Sequence, residues 1–152
     1  MKMLLAPLDF SSSTQRVLQT TQRLAKDLNA QVCLLHICEP TEGYVPIGAS
    51  MELTGSPSMV VVEPDIDGTL SQLEELAEPL RKSGLDVKCK ASAGLAVPEI
   101  QAQAEEIKAD YIVLGSHGHG ALFHLFSGSV VTGILKHAPC PVIVTPHRAD
   151  GN

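Results

Sequence analysis

Five short strand-like runs, most of them rich in leucine, isoleucine and valine, at residues 3–8, 31–37, 86–91, 110–115 and 141–145, alternate with longer segments whose apolar positions recur every three or four residues. Apolar runs of this length suit strands buried on both faces, and their alternation with amphipathic segments predicts a parallel sheet between two layers of helix. The first helix is expected to start at the Ser11-Ser12-Ser13 cluster, whose hydroxyls suit the unpaired amides of a helix start, and to end at Asn29. Its apolar stripe is Val17, Leu18, Thr21, Leu24, Ala25 and Leu28. A second helix over 66–82 places Ile66, Leu70, Leu73, Leu76, Ala77 and Leu80 on one side. Pro79 is positioned to kink it near its end, and Gly84 stops it. A third helix over 98–108 has Pro98 in its first turn and turns Ile100, Ala104 and Ile107 inward, and a fourth opens near Ser129. If every crossover is right-handed, five parallel strands are most simply ordered 3-2-1-4-5, a doubly wound, Rossmann-like α/β fold. Strands one and four are then neighbours at the switch point where ligands of such sheets bind. Asp9 and the residues from Gly115 onward are therefore the first place to look for chemistry.

The stretch 39–64 is rich in glycine and proline, lacks periodicity and is longer than a compact connection requires, so it is expected to be a mobile loop. Within it, Met59 to Val62 suits a short strand, a partner-binding patch or an apolar cluster packed on the domain; the last is preferred. The chain's 152 residues are enough to close one sizeable core and too few for two, which gives one domain over 1–147 and a tail at 148–152. Net charge is −6 and the basic residues are scattered, so the footprint needed to hold nucleic acid is missing. The opening apolar run is too short for a signal peptide and is interrupted by Asp9. No run approaches the roughly 20 residues that cross a bilayer, so a cytoplasmic protein without a membrane partner is expected. Cys33, Cys38, Cys89 and Cys140 lie in or beside strand-like runs with no paired spacing, the pattern of buried free thiols in a reducing compartment.

The fourth strand runs into Gly115-Ser116-His117-Gly118, then nine residues, then Gly128-Ser129 and a helix. Glycines allow the backbone to approach a phosphate closely, and a helix start adds free amides and a favourable dipole. Taken alone, such glycines could simply make turns. The loop carries no Gly-Lys-Ser or Gly-Lys-Thr, and its glycines do not open the first helix, which separates it from the P-loop and dinucleotide fingerprints. His117 and His119 form only a His-x-His pair with no third ligand at fixed spacing, so no metal site is expected.

The glycine spacing resembles the nucleotide loop of the universal stress protein family. So do the opening Pro7-Leu8-Asp9-Phe10-Ser11, the strand Leu34-Leu35-His36-Ile37, the segment from Gly94 to Ile100, and the ending His137-Ala138-Pro139-Cys140-Pro141-Val142-Ile143-Val144. The resemblance covers nearly the whole chain and implies a fold of the adenine nucleotide alpha hydrolase type. It further implies that Asp9 accepts hydrogen bonds from ribose at a strand exit shaped by Pro7 and Leu8, and that Ile37 lies against adenine. Leu114, Gly115, His117 and Gly118 would line the ribose and first phosphates, and Gly128, Ser129 and Val130 the outer phosphates. The structural alternative for Asp9 is a turn or helix-cap residue.

One departure from the family pattern stands out: residues 115–129 hold neither arginine nor lysine. Phosphate charge would fall to backbone amides, Mg²⁺, and the loop histidines His117, His119 and His124. The implied function is an adenine-nucleotide-binding regulatory protein of the stress response, holding ATP, ADP or AMP and acting on an unknown client protein. The alternative is a slow ATPase or phosphoryl-transfer enzyme, for which the sequence offers no clear catalytic residue. Family members pair their last strands into homodimers, which would use 141–145 here, unless Pro139, Pro141 and Pro146 block that edge.

Overall fold

The computed structural model describes residues 1–44, 59–116 and 129–146. β1 (Lys2–Pro7), β2 (Ala30–Cys38), β5 (Val87–Ala93), β6 (Tyr111–Gly115) and β7 (Val142–Thr145) form one sheet in the order β5-β2-β1-β6-β7. Every neighbouring pair is parallel, so the five strands, numbered among themselves, run 3-2-1-4-5. The connections include α1 (Thr14–Leu28), α2 (Ile66–Lys82), α3 (Ala96–Glu106) and α4 (Ser129–Lys136).

The buried strands explain the sandwich. Along β1, Leu4 and Ala6 enter one apolar cluster while Leu5 enters the other; along β2, Val32 and Leu34 alternate in the same way with Cys33 and Leu35. α1 covers the first face with Val17, Leu18 and Ala25, and α2 with Leu73, Ala77 and Leu80. α3 covers the opposite face with Ile100 and Ala104, and α4 with Ile134. Since side chains of a strand alternate between faces, only a sequence apolar at both parities can feed two cores at once.

Helix boundaries follow local chemistry. Asn29 ends α1 in the left-handed conformation at φ 50°, its amide returning to Ala25 and Lys26 carbonyls. Asp65 caps α2 by accepting from the Gly68 amide at 2.9 Å. Pro79 sits in the last turn of α2, and Arg81 ties that turn to β5 by donating from Nε and Nη2 to the Val87 carbonyl at 3.0 and 2.8 Å.

Several expectations need correcting. The serine cluster meets the start of α1 only in part: Ser13, the N-cap residue, makes no side-chain cap bond and its Oγ meets Ser11 Oγ at 2.7 Å, but the Ser11 hydroxyl accepts from the Ser13 amide at 3.3 Å, and the first turn closes through the Ser11 and Ser13 carbonyls. α3 begins at Ala96, so Pro98 is its third residue; any of the first positions tolerates proline because their amides have no partner inside the helix. Leu28, placed on the stripe of α1, is exposed. Met59–Val62 is a strand, β4, pairing antiparallel with β3 (Thr41–Tyr44) from Tyr44↔Met59 to Thr41↔Val62. Both ends of the expected 39–64 loop are thus ordered as a ribbon, while 45–58 lie outside the described residues, as does the tail 148–152. The cysteines are free thiols, with Cys33 and Cys38 buried and Cys89 and Cys140 half-buried. Burial pushes the Cys89 thiol up to about 12, with the Glu74 carboxylate adding to the effect.

Candidate functional site

Strand register brings the exits of β1, β2 and β6 to one level. β1 pairs with β2 up to Pro7↔Leu35, and with β6 at Leu5↔Ile112. Counting on, Leu8 stands level with His36 and Gly115, and Asp9 with Ile37 and Ser116. The Leu8 amide, donating to the Leu35 carbonyl at 2.7 Å, holds the first of these pairings in place. Asp9 just past β1, Gly115 at the end of β6 and Ile37, still paired with Ser92 of β5, are therefore neighbours where the strand order reverses.

Pro7 has no amide and closes β1; the chain then turns sharply through Leu8 to Ser11. Asp9 Oδ1 accepts from the Ser11 amide at 3.0 Å, an Asx turn, so the alternative role of Asp9 as a turn former is present in the fold. Asp9 is half-buried, and its Oδ2 takes no hydrogen bond among the described residues. Phe10 follows in the left-handed region at φ 56°, which costs a non-glycine residue free energy and persists only when its surroundings hold it. The holder is His36: the two rings stack with centroids 4.4 Å apart and planes 27° apart, and His36 Nδ1 lies 2.7 Å from the Leu8 carbonyl, to which it donates.

On the β6 side, Gly115 passes so close to α1 that a Cβ there would stand 2.9 Å from Ser13 Oγ and 3.3 Å from Val17 Cγ2. A glycine is required, and the β6 exit is thereby pressed against the start of α1. Thr145, buried in β7, fixes the same exit from the other side: its Oγ1 donates to the Leu114 carbonyl at 3.0 Å, and its carbonyl accepts from the Ser116 amide at 3.0 Å.

Six of the residues singled out by sequence thus gather here: Pro7, Leu8, Asp9, Ile37, Leu114 and Gly115. Leu8 and Leu114 contribute backbone only, since their side chains lie in opposite cores. Ser129 and Val130 open α4, which Ile134 anchors in the core cluster that also holds Leu114, and Val130 is exposed. His117, Gly118 and Gly128 lie outside the described residues, as do His119 and His124. Among the described residues no three His, Cys, Asp or Glu side chains gather to hold a metal ion.

Sequence reasoning gave no role at the site to His36, Phe10 or Thr145, and read Ser13 only as a helix-start residue. His36 carried a usable signal, a polar residue at an otherwise apolar strand's end, in phase with Val32 and Leu34. Glu39 was equally unmarked, yet its Oε1 accepts from the Ala96 amide at 3.1 Å and satisfies the start of α3.

Comparison with known proteins places this geometry in a wider set. The model of the universal stress protein family matches residues 1–146. The chain is 30% identical over 146 residues to universal stress protein Sll1654 of Synechocystis, covering 95% of this chain and 85% of that one. Its fold superposes on MJ0577, a universal stress protein of Methanocaldococcus jannaschii, with a TM-score of 0.73 at 23% identity, covering 98% of both chains. Two further structures have similar folds. One is a universal stress protein from Archaeoglobus fulgidus in complex with dAMP, with a TM-score of 0.62, 22% identity and coverage of 95% and 96%. The other is a family protein from Arabidopsis thaliana with AMP bound, with a TM-score of 0.64, 19% identity and coverage of 99% and 94%. With the family model spanning nearly its whole length, this chain belongs to the universal stress protein family.

Proposed function

We propose that this chain is an adenine-nucleotide-binding regulatory module of the stress response, holding ATP, ADP or AMP across the switch point rather than turning it over. The observation that supports this reading is that the exit of β1 just before Asp9, Ile37 of β2 and Gly115 at the end of β6 are neighbours at the reversal of strand order. Asp9 keeps an oxygen in reserve for ribose hydroxyls. Gly115 starts the glycine-rich segment that leads to the amides of α4, where phosphates would be met by backbone donors and dipole. That similar folds hold AMP and dAMP supports the same ligand class here. Mg²⁺ would ride on the phosphates, because it keeps several waters and needs few protein ligands.

In this reading the exit of β1 binds nucleoside, the glycine loop binds phosphate, and occupancy is read out by a client protein and by a second copy of the chain paired along β7. A cytoplasmic setting fits, since no helix among the described residues is long and apolar enough to cross a membrane.

Thermal shift and calorimetry with ATP, AMP and GTP test the proposal. A micromolar ATP site stabilises the fold by about 2.7 kcal/mol when ATP is present at a hundred times its dissociation constant. Gly118→Val, which puts a branched side chain in the phosphate path, and Asp9→Ala should each abolish or sharply reduce the shift. Wild-type protein indifferent to every adenine nucleotide would refute the reading, and turnover abolished by Asp9→Ala would move the protein to the enzymes.

A further inference from the structure

We propose that His36 is a positioning residue that makes this site select ribonucleotides, by holding Asp9 for ribose and leaving the Ile37 amide turned toward the base; the inference rests on the adenine-nucleotide reading above. In a parallel ladder, a residue that donates to one partner carbonyl accepts from the amide two residues further along that partner. The Leu8 amide donates to the Leu35 carbonyl, so an unbroken ladder would bring the Ile37 amide to the Leu8 carbonyl. That carbonyl is instead held by His36 Nδ1 at 2.7 Å. A side chain has taken the next rung of the sheet. Because backbone groups alternate in direction along a strand, the Ile37 N–H and C=O point the same way as the Leu35 carbonyl, past the end of β1 and into the crevice.

The same imidazole fixes the loop. Its ring stacks on Phe10 at 4.4 Å and holds that residue at φ 56°, a conformation a free loop would leave. Asp9 lies between the two anchored residues, one carboxylate oxygen held by the Ser11 amide. A carboxylate clamped at one oxygen presents the other at a defined place, which is what recognition of a hydroxyl requires, because a bound nucleotide that covers this half-buried acceptor without pairing it loses affinity. With AMP in one similar fold and dAMP in another, the general fold accommodates both sugars, and selectivity must lie in local anchoring of this kind.

Calorimetry on the full chain with ATP and 2′,3′-dideoxy-ATP tests the assignment. Wild type should prefer ATP by roughly tenfold or more, the worth of a hydrogen bond to a charged group. His36→Leu removes donor and ring; it should cost both nucleotides whatever the Ile37 amide gives the base, cost ATP about tenfold more than the dideoxy analogue, and so bring the ratio toward one. His36→Asn, which returns an amide donor near the Nδ1 position, should keep the ratio above that of His36→Leu. Phe10→Leu frees the loop while the Leu8 carbonyl keeps its donor; it should also narrow the ratio, and it decides the matter if His36→Leu does not fold. Full discrimination retained in the deciding variant, or equal weakening of both nucleotides, overturns the proposal. So does wild type binding both equally well, which leaves the nucleotide reading intact; wild type binding neither removes that reading and this inference together.

Discussion

Thr21 is wholly buried on α1, yet its Oγ1 has no hydrogen-bond partner among the described residues. Burying a hydroxyl without a partner costs free energy that a methyl group of the same shape avoids, and threonine and valine have similar helix propensities. Thr21→Val should therefore raise stability by about 1 kcal/mol, seen as a higher urea midpoint at unchanged slope. A lower midpoint would mean that the hydroxyl is satisfied. Thr21 was read from sequence as part of the apolar stripe, and its burial bears that out. Periodicity locates a residue on a face whatever its chemistry, but it is blind to whether a polar atom there is paired. For the same reason Ser13 was legible as a helix-start residue, while the bond its hydroxyl actually makes was not.

Between elements, the start of β6 is tied to the start of β1 by one side chain. Asp110 accepts from Lys2 Nζ at 2.7 Å and from the Met3 amide at 2.8 Å. The Lys2 hydrogen bond first, and the Met3 amide second, hold the Asp110 carboxyl below the usual carboxylate range, while the same partner raises Lys2. A depressed carboxylate contributes stability that is fully present above its unfolded value of about 3.9 and is lost as pH falls through the lower folded value. The raised lysine contributes below about 10.4 and loses its share as pH climbs through the folded value. The stability difference between wild type and Asp110→Asn should thus be flat between about pH 5 and 9 and shrink on acidification to about pH 3. Urea midpoints across that range, at low salt because the pair is exposed, check it; a difference that grows with acid contradicts the assignment.

At this scale the sequence was read well where local signals agreed. α2 runs over the residues its periodicity and terminal glycine marked, and all five core strands appear within two residues of the expected bounds at either end. The ribbon β3–β4 was missed as a pair because its order comes from a partner strand, with no alternation of its own around Gly43.

For the whole molecule, strand order and the location of the crevice followed from crossover handedness, since few topologies satisfy it. What the residues at that crevice do for one another, the grip of His36 on Phe10 above all, arises from proximity across the sheet and leaves little trace in linear spacing. Among the described residues β7 is an edge, with Val144 38% exposed, and the prolines that flank it lie outside Val142–Thr145, so the outward-facing amides of Val142 and Val144 are kept for a partner. If the proposed homodimer forms along this edge, Val144→Glu should leave the fold intact and yield monomers in sedimentation at low micromolar concentration, where the parent chain sediments as a dimer.

Thr145 gives that edge a second meaning. It is the last residue of the outermost strand, and through its hydroxyl and carbonyl it grips both sides of Gly115, where the glycine-rich stretch of the sequence begins. If the proposed dimer and the proposed nucleotide site both form, a second chain pairing along β7 and an anion bound beside Gly115 would act on the same few atoms. Assembly and occupancy would then share one fulcrum, with no need for a signal to travel through the core.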